Sequence, residues 1–197
     1  MYTADQALAR LVAGNRRFMR GEARFPTVRK EVLAALAKEQ RPYATILGCS
    51  DSRVPPELLF DAGFGELFII RVAGNVISRE VMGTLQYAAV HLRTPLFVVL
   101  GHEGCGAVQA ALATMLHGAR ERKRIAALLR SIIPGLKNVR AGGTAAARLE
   151  AAVEANVRWS MHQLLETPEV RARRAEGVMR LVGAVYELTT GRVRLLA

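Results

Sequence analysis

Apolar and polar positions along this chain follow two different rhythms. Near the N-terminus, Leu8, Leu11, Val12 and Phe18 recur at helical spacing, which predicts a helix with one apolar stripe. Thr3 followed three residues later by Gln6 is a capping-box start, and Gly14 is a weak point inside the helix. A second helix is predicted over 28–38, capped by Thr27 after Pro26, with Val32, Leu33 and Leu36 as its face. The middle of the chain changes to short, uninterrupted apolar runs: 44–47 between Pro42 and Gly48, then 67–70 and 96–100. Such runs read as buried strands. Helical patterns cover roughly 80–92, 106–116, 122–133 and 144–165, the last two stopped by Pro134-Gly135 and Thr167-Pro168. Apolar segments 178–187 and 193–196 around Thr189-Thr190-Gly191-Arg192 predict a terminal hairpin.

Strands alternating with helices define the fold class as α/β, a mainly parallel sheet flanked by helices. Ligands of such sheets bind beyond the carboxyl ends of the strands, and Cys49 and His102 fall just past two of those ends. No internal repeat, linker or low-complexity segment interrupts the pattern, so one domain over 1–197 is expected.

Composition narrows the choice of function. About half of the residues are apolar and 23% are charged, a globular balance, and no run approaches the 20 or so apolar residues of a membrane span. The first residues show no secretion signal, so a cytoplasmic protein is expected. The net charge of +11 gathers at Arg120–Arg124 and Arg171–Arg174. Neither cluster is interleaved with the aromatics that single-strand binding uses, so both read as solvated helix faces and no nucleic-acid partner is expected.

Only two cysteines are present, Cys49 and Cys105. In a leaderless chain of this length, metal binding or catalysis is a better use for them than a disulfide. His102 and Cys105 are three apart and close enough to share one ion, and Cys49 on another strand end would supply a third ligand. Thiolates and imidazole are the preferred ligands of Zn2+. Three protein ligands leave a position for water, whereas a structural site closes with four; Asp51 could fill the fourth position. The remaining histidines, His91, His117 and His162, lie inside predicted helices and read as surface or packed residues. Ser50 and Ser52 lack the Gly-x-Ser-x-Gly surroundings of a nucleophile and read as loop residues.

Cys49-x-Asp51-x-Arg53 together with His102-x-x-Cys105 resembles the signature of β-class carbonic anhydrases. The similarity extends to Gly14-Asn15-x-Arg17-Phe18, Gln40-x-Pro42, Arg71-Val72-Ala73-Gly74-Asn75, Tyr87 and Gly183-Ala184-Val185-Tyr186. The resemblance implies zinc bound by Cys49, His102 and Cys105, with Asp51 and Arg53 as a catalytic dyad beside it. It implies a substrate pocket formed by Gln40, Phe68, Tyr87 and the backbone at Gly106, with Phe68 and Tyr87 contributed across a dimer interface. It also implies N-terminal helices that pack on a partner subunit, in a homodimer or a dimer of dimers, with carbon dioxide and bicarbonate as the substrate pair. The chain departs from the family at two places. Gln86 stands where many members have Glu, and Ile46 stands where regulated members have the Trp of a second bicarbonate site.

These roles make physical sense for a small apolar substrate. The difficult step is making hydroxide at neutral pH, which zinc does by lowering the pKa of its water to about 7. Two thiolates donate more negative charge than imidazoles and weaken that effect. Asp51 would compensate by accepting a hydrogen bond from the nucleophile, held ionised by the planar fork of Arg53. A hydrolase of carbon disulfide or carbonyl sulfide on the same scaffold is the nearest rival. A basic zinc-stabilised nucleic-acid-binding protein is a rival of another class, for which no reading motif is present.

Overall fold

In the computed structural model, which describes residues 2–24, 30–139 and 142–196, the apolar runs become the middle of one sheet. Strands β1 (Ala44–Gly48), β2 (Leu67–Arg71), β3 (Leu96–His102) and β4 (Arg180–Tyr186) are parallel, and β5 (Val193–Leu195) pairs antiparallel with β4. The order is β2-β1-β3-β4-β5. Every residue of β1 and β3 is buried, which is why these two strands are apolar without alternation.

Alternate side chains of the strands serve two separate cores. Leu96, Val98 and Leu100 point with Ile46 and Val182 towards Ala7 and Leu11 of α1 (Ala4–Met19) and Leu59 of α3 (Pro56–Leu59). Phe97 and Val99 point with Leu47 to the other side. There they meet α4 (Arg79–Tyr87), α5 (Gly106–His117), α6 (Lys123–Leu136), α7 (Ala145–Leu165) and α8 (Pro168–Ala175). The predicted capping box at Thr3 and Gln6 forms on α1. Gly14 is more than a weak point: a Cβ there would run into the carbonyl oxygen of Phe60, so the glycine lets α1 close on the end of α3. No helix among the described residues is long and apolar enough to cross a membrane.

Several expectations are corrected. Helix α2 covers Lys30–Leu36, and the expected cap Thr27 and first turn at Val28 lie outside the described residues. Its Val32 and Leu33 are 44% and 50% exposed. The helix expected to stop before Pro134 continues to Leu136, whose side chain is fully buried. Proline removes one helical donor, but Trp159 donates from Nε1 to Ser131 O at 2.9 Å and packs against Gly135, and this tertiary contact carries the helix past it.

The helix expected over 80–92 is α-helical to Tyr87 and then a π turn, Ala88–Leu92, ended by Arg93 at φ 51°. The basic run 171–174 does lie on a helix, α8, but is not wholly solvated. Arg173 turns inward and donates to the carbonyls of Ala89, Arg93 and Thr94, closing the π turn. The run 120–124 is solvated, yet only Lys123 and Arg124 are helical.

Candidate metal centre

The chain leaves β1 towards β2 on one side and returns to β3 on the other, so β1 and β3 flank the point where the connections diverge. Gly48 pairs with Leu100, and the next residues bring Cys49 and His102 together at the carboxyl edge. His102 is the last residue of β3 rather than just beyond it. Gly104, at φ 62°, turns the chain back so that Cys105 caps the start of α5.

The outcome is one cluster: the ligand atoms of Cys49, His102 and Cys105 all lie within 4.8 Å of one another, and all three residues are buried. His102 Nδ1 is 2.8 Å from the carbonyl of Glu103, which makes Nδ1 the protonated nitrogen and leaves Nε2 with a lone pair aimed into the cluster. That Nε2 is buried without a hydrogen-bond partner among the described residues. Contact with Cys105, together with the Gly74 N–H, holds the Cys49 thiol below its usual value against the effect of burial. The same proximity, with burial, pushes Cys105 up. Two thiols that cannot both ionise beside an unpartnered imidazole nitrogen form a donor set that suits a thiophilic cation.

Asp51 and Arg53 stand at the rim. Arg53 donates from Nε to Asp51 Oδ1 at 2.9 Å and from Nη2 to Oδ2 at 2.7 Å, and its backbone N–H adds a third bond at 3.0 Å. This grip holds the Asp51 carboxyl well below the usual carboxylate range. Asp51 Oδ2 is 3.9 Å from His102 Nε2, so the carboxylate borders the cluster while remaining paired with arginine. Arg71 donates to the backbone carbonyls of Cys49 (2.9 Å) and Asp51 (2.5 Å) and braces the loop.

The expected pocket residues are placed less completely. Gly106 is exposed at the first turn of α5, beside Cys105. The rings of Phe68 and Tyr87 lie 6.1 Å apart, and Tyr87, 46% exposed, stacks in turn on His91 at 5.0 Å. Gln40 is exposed in the loop before β1 and lines a cleft of about 950 Å3 with Tyr2, Gln6 and His91. His117 is exposed at the end of α5, and His162 is exposed on α7 within 4.0 Å of Glu166.

Sequence reasoning missed Asn156 and Ser160. Both are buried on α7, and they bond the turn 73–75 that faces Cys49. The available signal was two polar residues one turn apart within the apolar stripe Ala152, Val153, Val157 and Leu164.

The sequence and the fold that carry this cluster have known counterparts. A sequence model of the carbonic anhydrase family matches residues 44–193. The chain belongs to that family, and to its β class, and is therefore an enzyme of the carbonic anhydrase kind. It is 37% identical to a carbonic anhydrase of Mycolicibacterium smegmatis over 183 residues, 92% of this chain and 88% of that protein. It is likewise 37% identical to carbonic anhydrase 2 of Mycobacterium tuberculosis over 186 residues, 94% and 89% of the two chains. Among solved structures, the Coccomyxa β-carbonic anhydrase in complex with acetazolamide superposes with a TM-score of 0.76 at 28% identity, covering 96% of this chain and 86% of that one. A β-carbonic anhydrase of Sordaria macrospora, at 23% identity, shares the fold with a TM-score of 0.79 and 96% coverage of both chains.

Proposed function

We propose that this chain, as one domain over 1–197, catalyses the reversible hydration of carbon dioxide to bicarbonate and a proton with zinc held by Cys49, His102 and Cys105. The observation that carries this reading is the convergence of those three ligand atoms within 4.8 Å, with His102 Nε2 unpartnered among the described residues. When bound, zinc supplies a hydroxide nucleophile at neutral pH.

The other roles belong to the chain. Asp51, kept ionised by Arg53, accepts a hydrogen bond from an O–H at the rim of the cluster and fixes its orientation. An Asp51 released from Arg53 is close enough to the cluster to turn onto the metal and shut the site, so Arg53 also acts as the switch that keeps it open. Phe68 and Tyr87 form an aromatic wall suited to an apolar substrate, Gln40 offers an amide to the substrate oxygen, and the Gly106 backbone closes the near side.

Gln40 opens on a separate cleft, so completing the pocket requires a second subunit; the homodimer, or dimer of dimers, is the active unit. The Sordaria relatives are described as tetrameric, in keeping with this. Two uncrosslinked thiols suit the reducing cytoplasm.

The test is stopped-flow hydration of carbon dioxide alongside metal analysis of the wild type and of Cys105→Ser. The wild type is expected to carry one zinc per chain and to be active, and the variant to lose both. Full zinc and unchanged activity in Cys105→Ser would overturn the ligand set.

A further inference from the structure

Helix α7 sends two buried polar side chains, one turn apart, to two consecutive carbonyls of the turn Ala73–Asn75. Asn156 Nδ2 donates to Gly74 O at 2.8 Å, and Ser160 Oγ donates to Asn75 O at 3.0 Å. Both side chains are 1% exposed, although the rest of that helix face is apolar. Burying polar groups costs free energy unless they are bonded, and the Asn156 Nδ2 and Ser160 Oγ bonds both go to this one turn, while Asn156 Oδ1 is buried without a hydrogen-bond partner among the described residues.

The turn is otherwise unfavourable. Gly74 sits at φ 68° and the following Asn75 at φ 43°, two left-handed residues in succession. A Cβ on Gly74 would come within 2.8 Å of the Ile132 side chain and 3.1 Å of Ala107, so neighbouring helices press the backbone inwards. That conformation directs the Gly74 N–H at Cys49 Sγ, 3.3 Å away, in a buried hydrogen bond.

We infer that Asn156, seconded by Ser160, is a positioning residue that holds the Gly74 N–H on the Cys49 sulfur and thereby limits the charge this thiolate gives to the metal. The inference rests on the reading of Cys49 as a metal ligand. A hydrogen bond to a thiolate draws electron density from sulfur, and such outer partners tune both the hold on a metal and its acidity. A site with two thiolates has too much donated charge for the purpose of acidifying water, and a donor fixed on one sulfur offsets it. Neither Asn156 nor Ser160 touches the cluster; each acts through the backbone of the turn.

The experiment substitutes cobalt for zinc and reads the near-ultraviolet thiolate-to-cobalt charge-transfer band, with zinc release to a chelator as the second measurement. Asn156→Ala and Ser160→Ala are compared with Val153→Ala, a truncation of the same helix that packs near Gly101 of β3 and leaves the turn alone. Asn156→Ala should shift the band to longer wavelength and slow zinc release, because the thiolate freed of its donor gives the metal more charge. Ser160→Ala should do the same to a smaller degree, and Val153→Ala should lower stability with the band unmoved. If the wild type shows no thiolate band, the ligand reading itself fails. If the wild type shows the band and the Asn156 and Ser160 variants keep it in place, or if Val153→Ala shifts it equally, the ligand reading stands and the positioning role is refuted.

Discussion

Arg53 grips Asp51 with two parallel hydrogen bonds, Nε to Oδ1 at 2.9 Å and Nη2 to Oδ2 at 2.7 Å, across a separation of only two residues. The geometry is the planar fork that arginine offers a carboxylate and lysine cannot. It leaves Asp51 bordering the cluster of Cys49, His102 and Cys105 with its charge fully engaged.

Arg53→Ala should therefore keep its zinc and lose about 100-fold in hydration rate, because the carboxylate is freed to turn onto the metal. Arg53→Lys should also be impaired. Metal analysis paired with stopped-flow kinetics checks both, and wild-type turnover in either variant would reduce Arg53 to a structural role.

Exposed apolar residues gather beside the open edge of the sheet. Phe64 precedes β2 and is 63% exposed, while Tyr87 and Val90, 46% and 50% exposed, lie on the helix whose tyrosine packs on Phe68. A face of this kind calls for a partner, which the proposed dimer would supply. Val90→Arg should shift sedimentation towards monomer and abolish most activity at assay concentration. An active monomer would show the site to be complete within one chain.

Asp61 gives a pH dependence remote from the metal. Its side chain is 1% exposed and receives Arg17 Nε at 2.5 Å and the Arg24 N–H at 2.7 Å. Burial acts to raise its carboxyl pKa, but these donors outweigh burial and hold it below the usual value. A depressed folded pKa means stability that is present above the unfolded value of about 4 and fades as pH falls through the folded one. Asp61→Asn preserves shape and tolerates the φ of 45° at this position. It should cost about 2 kcal/mol at neutral pH, with the gap closing as the solution is acidified below about pH 4. Urea titrations across that range would show it, and a gap independent of pH would mean that the charge contributes nothing.

Gly14→Ala runs against propensity. Alanine favours a helix by about 1 kcal/mol over glycine, but here its methyl group would enter the space of the Phe60 carbonyl. Because the obstacle is backbone, repacking cannot relieve it, and a net loss of about 3 kcal/mol is expected in chemical denaturation. A stabilised variant would mean that α1 does not close on α3 as described.

The sequence by itself determined the elements whose signals are local. Unbroken apolar runs mark β1 and β3 because a strand covered on both faces has no polar side to show, and a similar run marks β2 at the sheet edge. Thr3 with Gln6 marks the start of α1, since that pair satisfies orphan helix donors wherever it occurs. Cys49, His102 and Cys105 were legible as a candidate metal-binding set because few other uses exist for such residues at glycine-rich strand ends, and the fold brings their ligand atoms together. Tertiary structure decided whatever depends on a distant partner. Helix α6 passes Pro134 because Trp159 and a buried Leu136 outweigh one missing donor. Arg173 turns inward because the π turn and the residues after it present the carbonyls of Ala89, Arg93 and Thr94 to its guanidinium. Asn156 is polar on an apolar stripe for the sake of Gly74, 82 residues earlier in the chain. Local propensity and hydrophobic period carry no information about contacts at that separation, and only the closed fold brings those groups within hydrogen-bond distance.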